Sequence, residues 1–356
     1  MGQTRHQTEV DYTGIVEEMP RVFRIEPSWI CNLRCICCPT GTQPAVGRGI
    51  MTMETFESII AEVRKHNPKV VVFYHGGEPF LNKNFFDMVK TVKAAGVPFA
   101  KTVSNGMMIR PDMIPKIIES GLDSIEFSLD GRSAEENNAI RRGSDYAKVS
   151  ATIKELIATK KRVGSKTPTV FIANTQIPTE EELARAVRKE PQEMRCAKPL
   201  VLQSPQSSAL LGTATFANPC GSLNAGKCRV PEYIANDFAD YEGEIQFKVT
   251  YTIFWPGMPF DTDKYKLVAD SAERDPVNYC DHPNSTVTFR WNGDVVACCY
   301  DITSTYVLGN ITREPLEQIW NNDKYRELRK SIRDRNFLPL CENCHVVKPF
   351  LWLAKK

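Results

Sequence analysis

Twelve cysteines in 356 residues are the feature most able to do chemistry. Cys31, Cys35, Cys37 and Cys38 crowd one short stretch near the start, and Cys280, Cys298, Cys299, Cys341 and Cys344 lie late. Cys196, Cys220 and Cys228 are scattered between them. The first twenty residues are polar, carry Glu9, Asp11, Glu17 and Glu18, and lack the apolar run of a secretory signal. The expected location is therefore the cytoplasm, where thiols stay reduced, so metal or redox chemistry is favoured over a disulfide framework. Two groups of thiols at opposite ends imply two separate metal sites.

Cys31-x3-Cys35-x2-Cys38 offers three thiolates on one loop. A structural zinc site or an ordinary four-iron cluster takes four protein ligands, so three leave one metal corner open for another molecule. A zinc knuckle or a reduced cysteine-rich loop is the plainer alternative. Farther on, His75-Gly76-Gly77-Glu78-Pro79 follows an apolar run. Its glycines allow the backbone to approach a ligand closely, and its carboxylate can receive an ammonium group.

The triple-cysteine spacing, with Gly76-Gly77-Glu78-Pro79 one strand–helix unit later, resembles the radical S-adenosylmethionine (radical SAM) superfamily. The resemblance implies that Cys31, Cys35 and Cys38 hold a [4Fe–4S] cluster. Its open iron is chelated by the amino and carboxylate groups of S-adenosylmethionine, whose reductive cleavage gives a 5′-deoxyadenosyl radical. It also implies that Gly76 to Pro79 bind the methionyl amino group, and that an electron donor such as flavodoxin or ferredoxin serves the cluster. Ser104-Asn105-Gly106 and Ser128-Leu129-Asp130-Gly131 resemble family positions lining the cofactor or substrate, although Asn-Gly and Asp-Gly also favour plain turns. Arg141 resembles a family arginine that meets the methionine carboxylate; a solvent-facing arginine is the alternative. Cys37 stands where the family often has an aromatic residue near the adenine.

In the second group, Cys280, Cys298, Cys341 and Cys344 make a closed set of four ligands, which suits zinc or [4Fe–4S]. With LGNITREPLEQIWNNDKYRELR between the cysteine pairs, the arrangement resembles the SPASM/twitch extension of radical enzymes. One full ligand set fits the shorter twitch form, and the resemblance implies one auxiliary [4Fe–4S] cluster rather than zinc. Cys299 is either a spare thiol or a substitute for Cys298. Such a cluster can accept an electron from a substrate radical or staple a small domain. Four cysteines argue against its ligating substrate directly.

The elements that must position these groups alternate regularly. Strands are expected at Val22–Ile30, Val70–Tyr74, Phe99–Val103, Ser124–Leu129 and Thr169–Ala173, with Leu200–Gln203 as a sixth. Helices are expected at Thr52–Lys65, Phe85–Ala95, Asp112–Ser120, Tyr146–Arg162 and Thr179–Arg188. This alternation means parallel strands with right-handed crossovers, and chemistry at their C-terminal ends. Periodicity alone does not separate an open doubly wound sheet from a barrel, and about six units fall short of a full eight-unit barrel. With the resemblance, the expected fold is α/β, a partial (β/α)6 TIM-like barrel followed by a small cysteine-rich twitch/SPASM-like domain. The boundaries are an N-terminal extension over 1–21, the barrel over 22–205, a linker or substrate region over 206–279 and the cysteine-rich domain over 280–356. A hairpin is expected at Val287–Trp291 and Val295–Cys298, turning at Asn292-Gly293-Asp294. Glu314–Trp320 and Lys324–Arg333 read as helices.

The expected function is radical abstraction of hydrogen from a polar small molecule (a sugar, an aminocyclitol or another natural product), with oxidation assisted by the auxiliary cluster. The alternative is a peptide-modifying enzyme that cross-links or epimerises; no winged-helix peptide-binding domain fits ahead of Cys31. Epimerisation would need a hydrogen donor, for which Cys196, Cys220, Cys228 and Cys37 are candidates. Outside enzymology, an iron–sulfur carrier or a zinc-stabilised binding protein remains open. Lys and Arg total 45 against 43 Asp and Glu, so no basic field marks a nucleic-acid partner. No run approaches 18 apolar residues, so no membrane span is expected.

Overall fold

The computed structural model describes residues 12–42, 47–187, 229–252, 255, 260–269, 276–348 and 351–356. One nine-stranded sheet runs through it in the order β10-β9-β8-β1-β2-β3-β4-β5-β6. Its central strands are β1 (Val22–Ile25), β2 (Val70–Val72), β3 (Phe99–Ser104), β4 (Ser124–Ser128), β5 (Thr169–Gln176) and β6 (Ile245–Tyr251). All five successive pairings from β1 to β6 are parallel. The parallel pairing is what strand–helix alternation predicts, because parallel neighbours need a crossover and the helices supply it, and the whole is the α/β partial barrel that the family resemblance implies. Residues 200–203 lie outside the described residues; the sixth parallel strand described is Ile245–Tyr251.

Pleating sorts the side chains. Phe23, Ile25, Val71, Ala100, Ile125, Phe127, Val170 and Ile172 pack outward against the helices in the main core. The residues between them, Arg24, Glu26, Lys101 and Glu126, therefore face the lumen. The helix Met53–His66 shows how local chemistry fixes an element. Thr52 caps it by accepting from Thr55 N–H, and Asn67 ends it in the left-handed region at φ 47°, donating its N–H to Val63 O. Phe56, Ile59, Ile60 and Val63 are its buried stripe, each worth about 1.5–3 kcal/mol of burial.

The late hairpin forms as its turn residues require. β8 (Thr286–Phe289) pairs antiparallel with β9 (Asp294–Val296), and Gly293 takes φ 85° in the turn. β8 also pairs in parallel with β1, in register Val22–Thr286 to Ile25–Phe289. The cysteine-rich region is thus continuous with the barrel sheet, and Phe23 and Phe289 seal the seam edge-to-face at 5.4 Å. β10 (Val307–Asn310) closes this edge, and the helices Leu316–Trp320 and Asp323–Arg333 follow. At the far end β7 (Tyr265–Ala269) and β11 (Leu351–Lys355) form a separate two-stranded sheet.

Candidate cofactor and cluster sites

The first thiol loop leaves β1 at Glu26. It is strapped down by main-chain hydrogen bonds from Arg34 N to Arg142 O and from Ile36 N to Ile140 O, both 2.9 Å. The chain then folds back on itself: a Cβ at Gly41 would lie 2.5 Å from Cys35 O, so only glycine fits there. Cys31, Cys35 and Cys38 are free thiols. Their sulfurs lie within one another's electrostatic reach. Burial pushes Cys31 up to about 11 and Cys35 up to about 12. Three soft thiols on one loop fit a cluster with one open iron. Cys37 is buried beside Asp130, Cys35 and Arg141, and burial raises its thiol well above the usual range.

The Gly76–Pro79 turn packs directly against that loop. A Cβ on Gly77 would meet Ser28 O at 2.3 Å. Glu78 N–H donates to Ile30 O at 2.9 Å. The Glu78 side chain caps the one-turn helix Pro79–Leu81 by accepting from Phe80 N–H. It also accepts from the Ser104 hydroxyl at 2.8 Å and from Asn105 N–H at 2.9 Å. Burial lifts its carboxyl to about 7, opposed by these hydrogen bonds. Asn105 Nδ2 donates to Asn32 at 2.9 Å and lies 3.8 Å from Cys31 Sγ. Glu78, Ser104 and Asn105, far apart in sequence, are thus one network touching the thiol loop.

Arg141 is not solvent-facing. Its Nε lies 2.7 Å from Asp130 Oδ2, and both side chains are largely buried. Burial works against the guanidinium's charge, but Asp130 and Cys35 outweigh it and raise its pKa. Asp130 is itself held by Thr175 N–H at 3.2 Å. Among the described residues Ser128 makes none of these contacts. Cys196, Cys220 and Cys228 lie outside the described residues.

Glu26 has no motif to announce it, yet it organises the site. Its Oε1 accepts from Gly76 N–H at 2.9 Å and lies 3.2 Å from His75 Nδ1. Its Oε2 takes Arg290 Nε at 2.6 Å and Trp291 N–H at 3.2 Å. Burial pushes this carboxyl up, but His75 and Arg290 overcome it and hold it at about 2. Arg290 stacks 4.3 Å from the centre of the Trp29 ring. Trp29 Nε1 and His75 Nε2 are buried without a hydrogen-bond partner among the described residues, and Trp29 Nε1 borders Gly76. Buried polar atoms left over beside the glycine turn fit a site that a polar ligand completes.

The lumen below holds charge of its own. Lys248 forms an ion pair with Glu126. Burial lowers the Lys101 ammonium to about 7, with Glu126 opposing. The Arg24 guanidinium lies 5.4 Å from the Tyr74 ring centre and hydrogen-bonds Cys299. The sequence signal for this lumen is alternation inside strands: Phe-Arg-Ile in β1, Ala-Lys-Thr in β3, Ile-Glu-Phe in β4.

The four late cysteines also converge. Cys280, Cys341 and Cys344 are buried among Ala297, Leu328, Ile332 and Val347. Cys298 and His282 line the same cavity. Burial pushes the thiols up, Cys341 to about 12 with Cys344 adding to it, and Cys344 to about 11 with Cys299 adding to it. Four free thiols in a nearly dry nest fit a closed metal centre. Cys299 does not line it. Its Sγ lies 3.4 Å from His282 Nε2, and although burial works against the thiolate, His282 and Arg24 bring its pKa below the usual thiol range.

Comparison with known proteins finds a domain family over each of the two cysteine-bearing regions. Residues 25–188 match the family model described as Radical SAM superfamily, and residues 280–345 match that of the iron–sulfur cluster-binding SPASM domain. The tungsten-containing aldehyde ferredoxin oxidoreductase cofactor-modifying protein of Pyrococcus furiosus is 26% identical over 340 residues, 88% of this chain and 84% of that protein. Mycofactocin maturase MftC of Mycolicibacterium smegmatis is 32% identical over 129 residues, covering 35% of this chain and 31% of its own length. Among solved structures, BtrN in complex with AdoMet and 2-DOIA superposes with a TM-score of 0.53 at 16% identity, over 92% of this chain and 93% of BtrN. Streptococcus suis SuiB bound to S-adenosylmethionine does so with a TM-score of 0.53 at 16% identity, over 93% of this chain and 72% of SuiB. At these identities the solved structures speak to the fold alone.

Proposed function

Since this chain is built from a radical SAM superfamily domain and a SPASM iron–sulfur cluster-binding domain, we propose that it oxidises a polar small molecule by radical abstraction of hydrogen. The radical SAM domain binds a [4Fe–4S] cluster and S-adenosylmethionine, and the SPASM domain binds auxiliary iron–sulfur clusters. When bound, these groups supply a 5′-deoxyadenosyl radical that removes one hydrogen atom, and an acceptor for the electron left behind.

Cys31, Cys35 and Cys38 would hold the first cluster, and Cys280, Cys298, Cys341 and Cys344 an auxiliary one. Glu78, fixed by Ser104 and Asn105, shapes the glycine turn that would receive the methionyl ammonium. Arg141, locked by Asp130 at 2.7 Å, supplies a buried positive charge suited to the methionyl carboxylate.

The observation that carries the small-molecule reading is the charged lumen of Arg24, Lys101, Glu126 and Lys248. Lys101 sits three residues below Ser104 on β3, ~10 Å deeper at ~3.3 Å per residue. A buried lumen of this kind suits a compact polar molecule better than an extended peptide. Taking an alcohol to a ketone removes a hydrogen atom, a proton and an electron. Lys101, brought to about 7 by burial, is poised to take the proton. Arg24 borders Cys299, the neighbour of Cys298 in the chain, so the lumen reaches the late cysteines. The Pyrococcus furiosus relative, which aligns with 88% of this chain, is named for modifying a cofactor, which favours the same substrate class.

The test uses iron-replete protein with S-adenosylmethionine and a reductant, without oxygen. A cell extract filtered below about 1 kDa and treated with protease is expected to raise 5′-deoxyadenosine formation, and Lys101→Met to abolish that stimulation while leaving the uncoupled rate. Stimulation that disappears on protease treatment would assign the enzyme to peptides.

A further inference from the structure

Away from both cysteine centres, two elements of distant sequence bring three metal-ligating side chains to one point. Glu62 and His66 lie one turn apart on the helix Met53–His66. Glu317 comes from the first turn of the helix Leu316–Trp320, in the cysteine-rich region. One ligand atom from each lies within 4.8 Å of the others. We propose that Glu62, His66 and Glu317 form a binding site for a zinc-class divalent cation that clamps the barrel to the C-terminal domain.

The geometry favours a cation over an ordinary hydrogen-bonded cluster. Both carboxylates converge on the same nitrogen: His66 Nε2 lies 3.1 Å from Glu62 Oε2 and 3.1 Å from Glu317 Oε1. A ring nitrogen carries one hydrogen, so the two carboxylates can share it only as a bent three-centre bond, while their like charges stay close together. A metal placed among the three atoms serves both. Zinc at its usual distances of about 2.0–2.2 Å from nitrogen and oxygen sets tetrahedral neighbours ~3.4 Å apart, so the two observed separations need to open by only a few tenths of an ångström. Glu62 and His66 are nearly buried, with side chains 12% and 10% exposed. This limits competition from water.

Glu317 is the open side, at 39% exposure, where a water molecule can fill the fourth position. Lys65 also contacts Glu317. It is more than half exposed and can swing away at little cost, because an exposed, solvent-screened ion pair contributes little. Nitrogen with two carboxylates is a borderline donor set that accepts zinc and discriminates against calcium and magnesium, which prefer all-oxygen shells. Neither cluster ligand set includes these residues, so the site can be emptied without touching the radical machinery.

The experiment compares iron-replete wild type with two variants, His66→Gln and Glu317→Gln, each equilibrated with micromolar zinc chloride under anaerobic conditions and then desalted. Wild type is expected to retain one zinc per chain more than His66→Gln, with equal iron in both. Glu317→Gln, at an exposed position that does not endanger folding, is expected to bind zinc at least tenfold more weakly. X-ray absorption of the wild-type zinc is expected to show nitrogen and oxygen neighbours only. Equal zinc in wild type and both variants overturns the proposal, as does sulfur in the shell of the retained zinc.

Discussion

Glu26 decides more of this site than any residue in a recognisable motif. One carboxylate holds the glycine turn through Gly76 N–H and the C-terminal region through Arg290 and Trp291 N–H. Removing its charge leaves the Arg290 guanidinium buried without compensation, so Glu26→Gln is expected to cost about 3–5 kcal/mol in denaturant unfolding. The pH dependence has a definite sign. The folded carboxyl is held at about 2 against an ordinary value of 4.5. Its contribution is therefore fully present above the ordinary value and is lost as pH falls from there through about 2. The stability gap between wild type and Glu26→Gln should narrow across that window and stay constant above it. A gap independent of pH between 4.5 and 2 would rule out the charge as the cause.

At the scale of elements, close backbone approach positions the thiol loop. Gly41 returns against Cys35, and a Cβ there would come within 2.5 Å of the Cys35 carbonyl and 2.7 Å of its amide nitrogen. Backbone cannot step aside as a flexible side chain can. Gly41→Ala is expected to displace the Cys35–Cys38 turn and lower iron bound near the N-terminus, while the far cluster persists. Iron analysis would read this as loss of about half the iron, and full iron in the variant would refute the packing argument. β1 does comparable work. Its short alternation puts Phe23 and Ile25 in the core and Arg24 and Glu26 in the lumen, so a slip of one residue would exchange the two sets.

Across the whole molecule, the pairing of β1 with β8 makes one sheet of the barrel and the cysteine-rich region. The late cysteines are therefore mounted on the barrel rather than tethered beside it. Cys298 lines the cysteine cavity, and Cys299 beside it turns to His282 on the rim of that cavity and to Arg24. Cys341→Ala is expected to remove the auxiliary cluster and reduce stability, because a metal centre in a small domain contributes directly to folding. Uncoupled formation of 5′-deoxyadenosine should survive, since the first thiol loop does not depend on Cys341. Loss of that uncoupled cleavage, with iron retained at the first site, would show that the auxiliary centre supports the first.

What the sequence determined by itself was whatever chain proximity enforces. Cys31, Cys35 and Cys38 share a loop because only a few residues separate them. Gly76 to Pro79 form a turn by composition, and the strand–helix rhythm dictates parallel pairing and helices outside. Tertiary structure alone decided which distant groups meet. Glu26 meets Arg290, Arg24 meets Cys299, Asp130 locks Arg141, and Glu62 with His66 finds Glu317. None of these pairs is encoded by spacing or period, because the folded sheet and its extension through β8 to β10 bring them together. Partners joined through long-range contact leave in the sequence only a charged residue at an inward position of a strand, without the name of its mate.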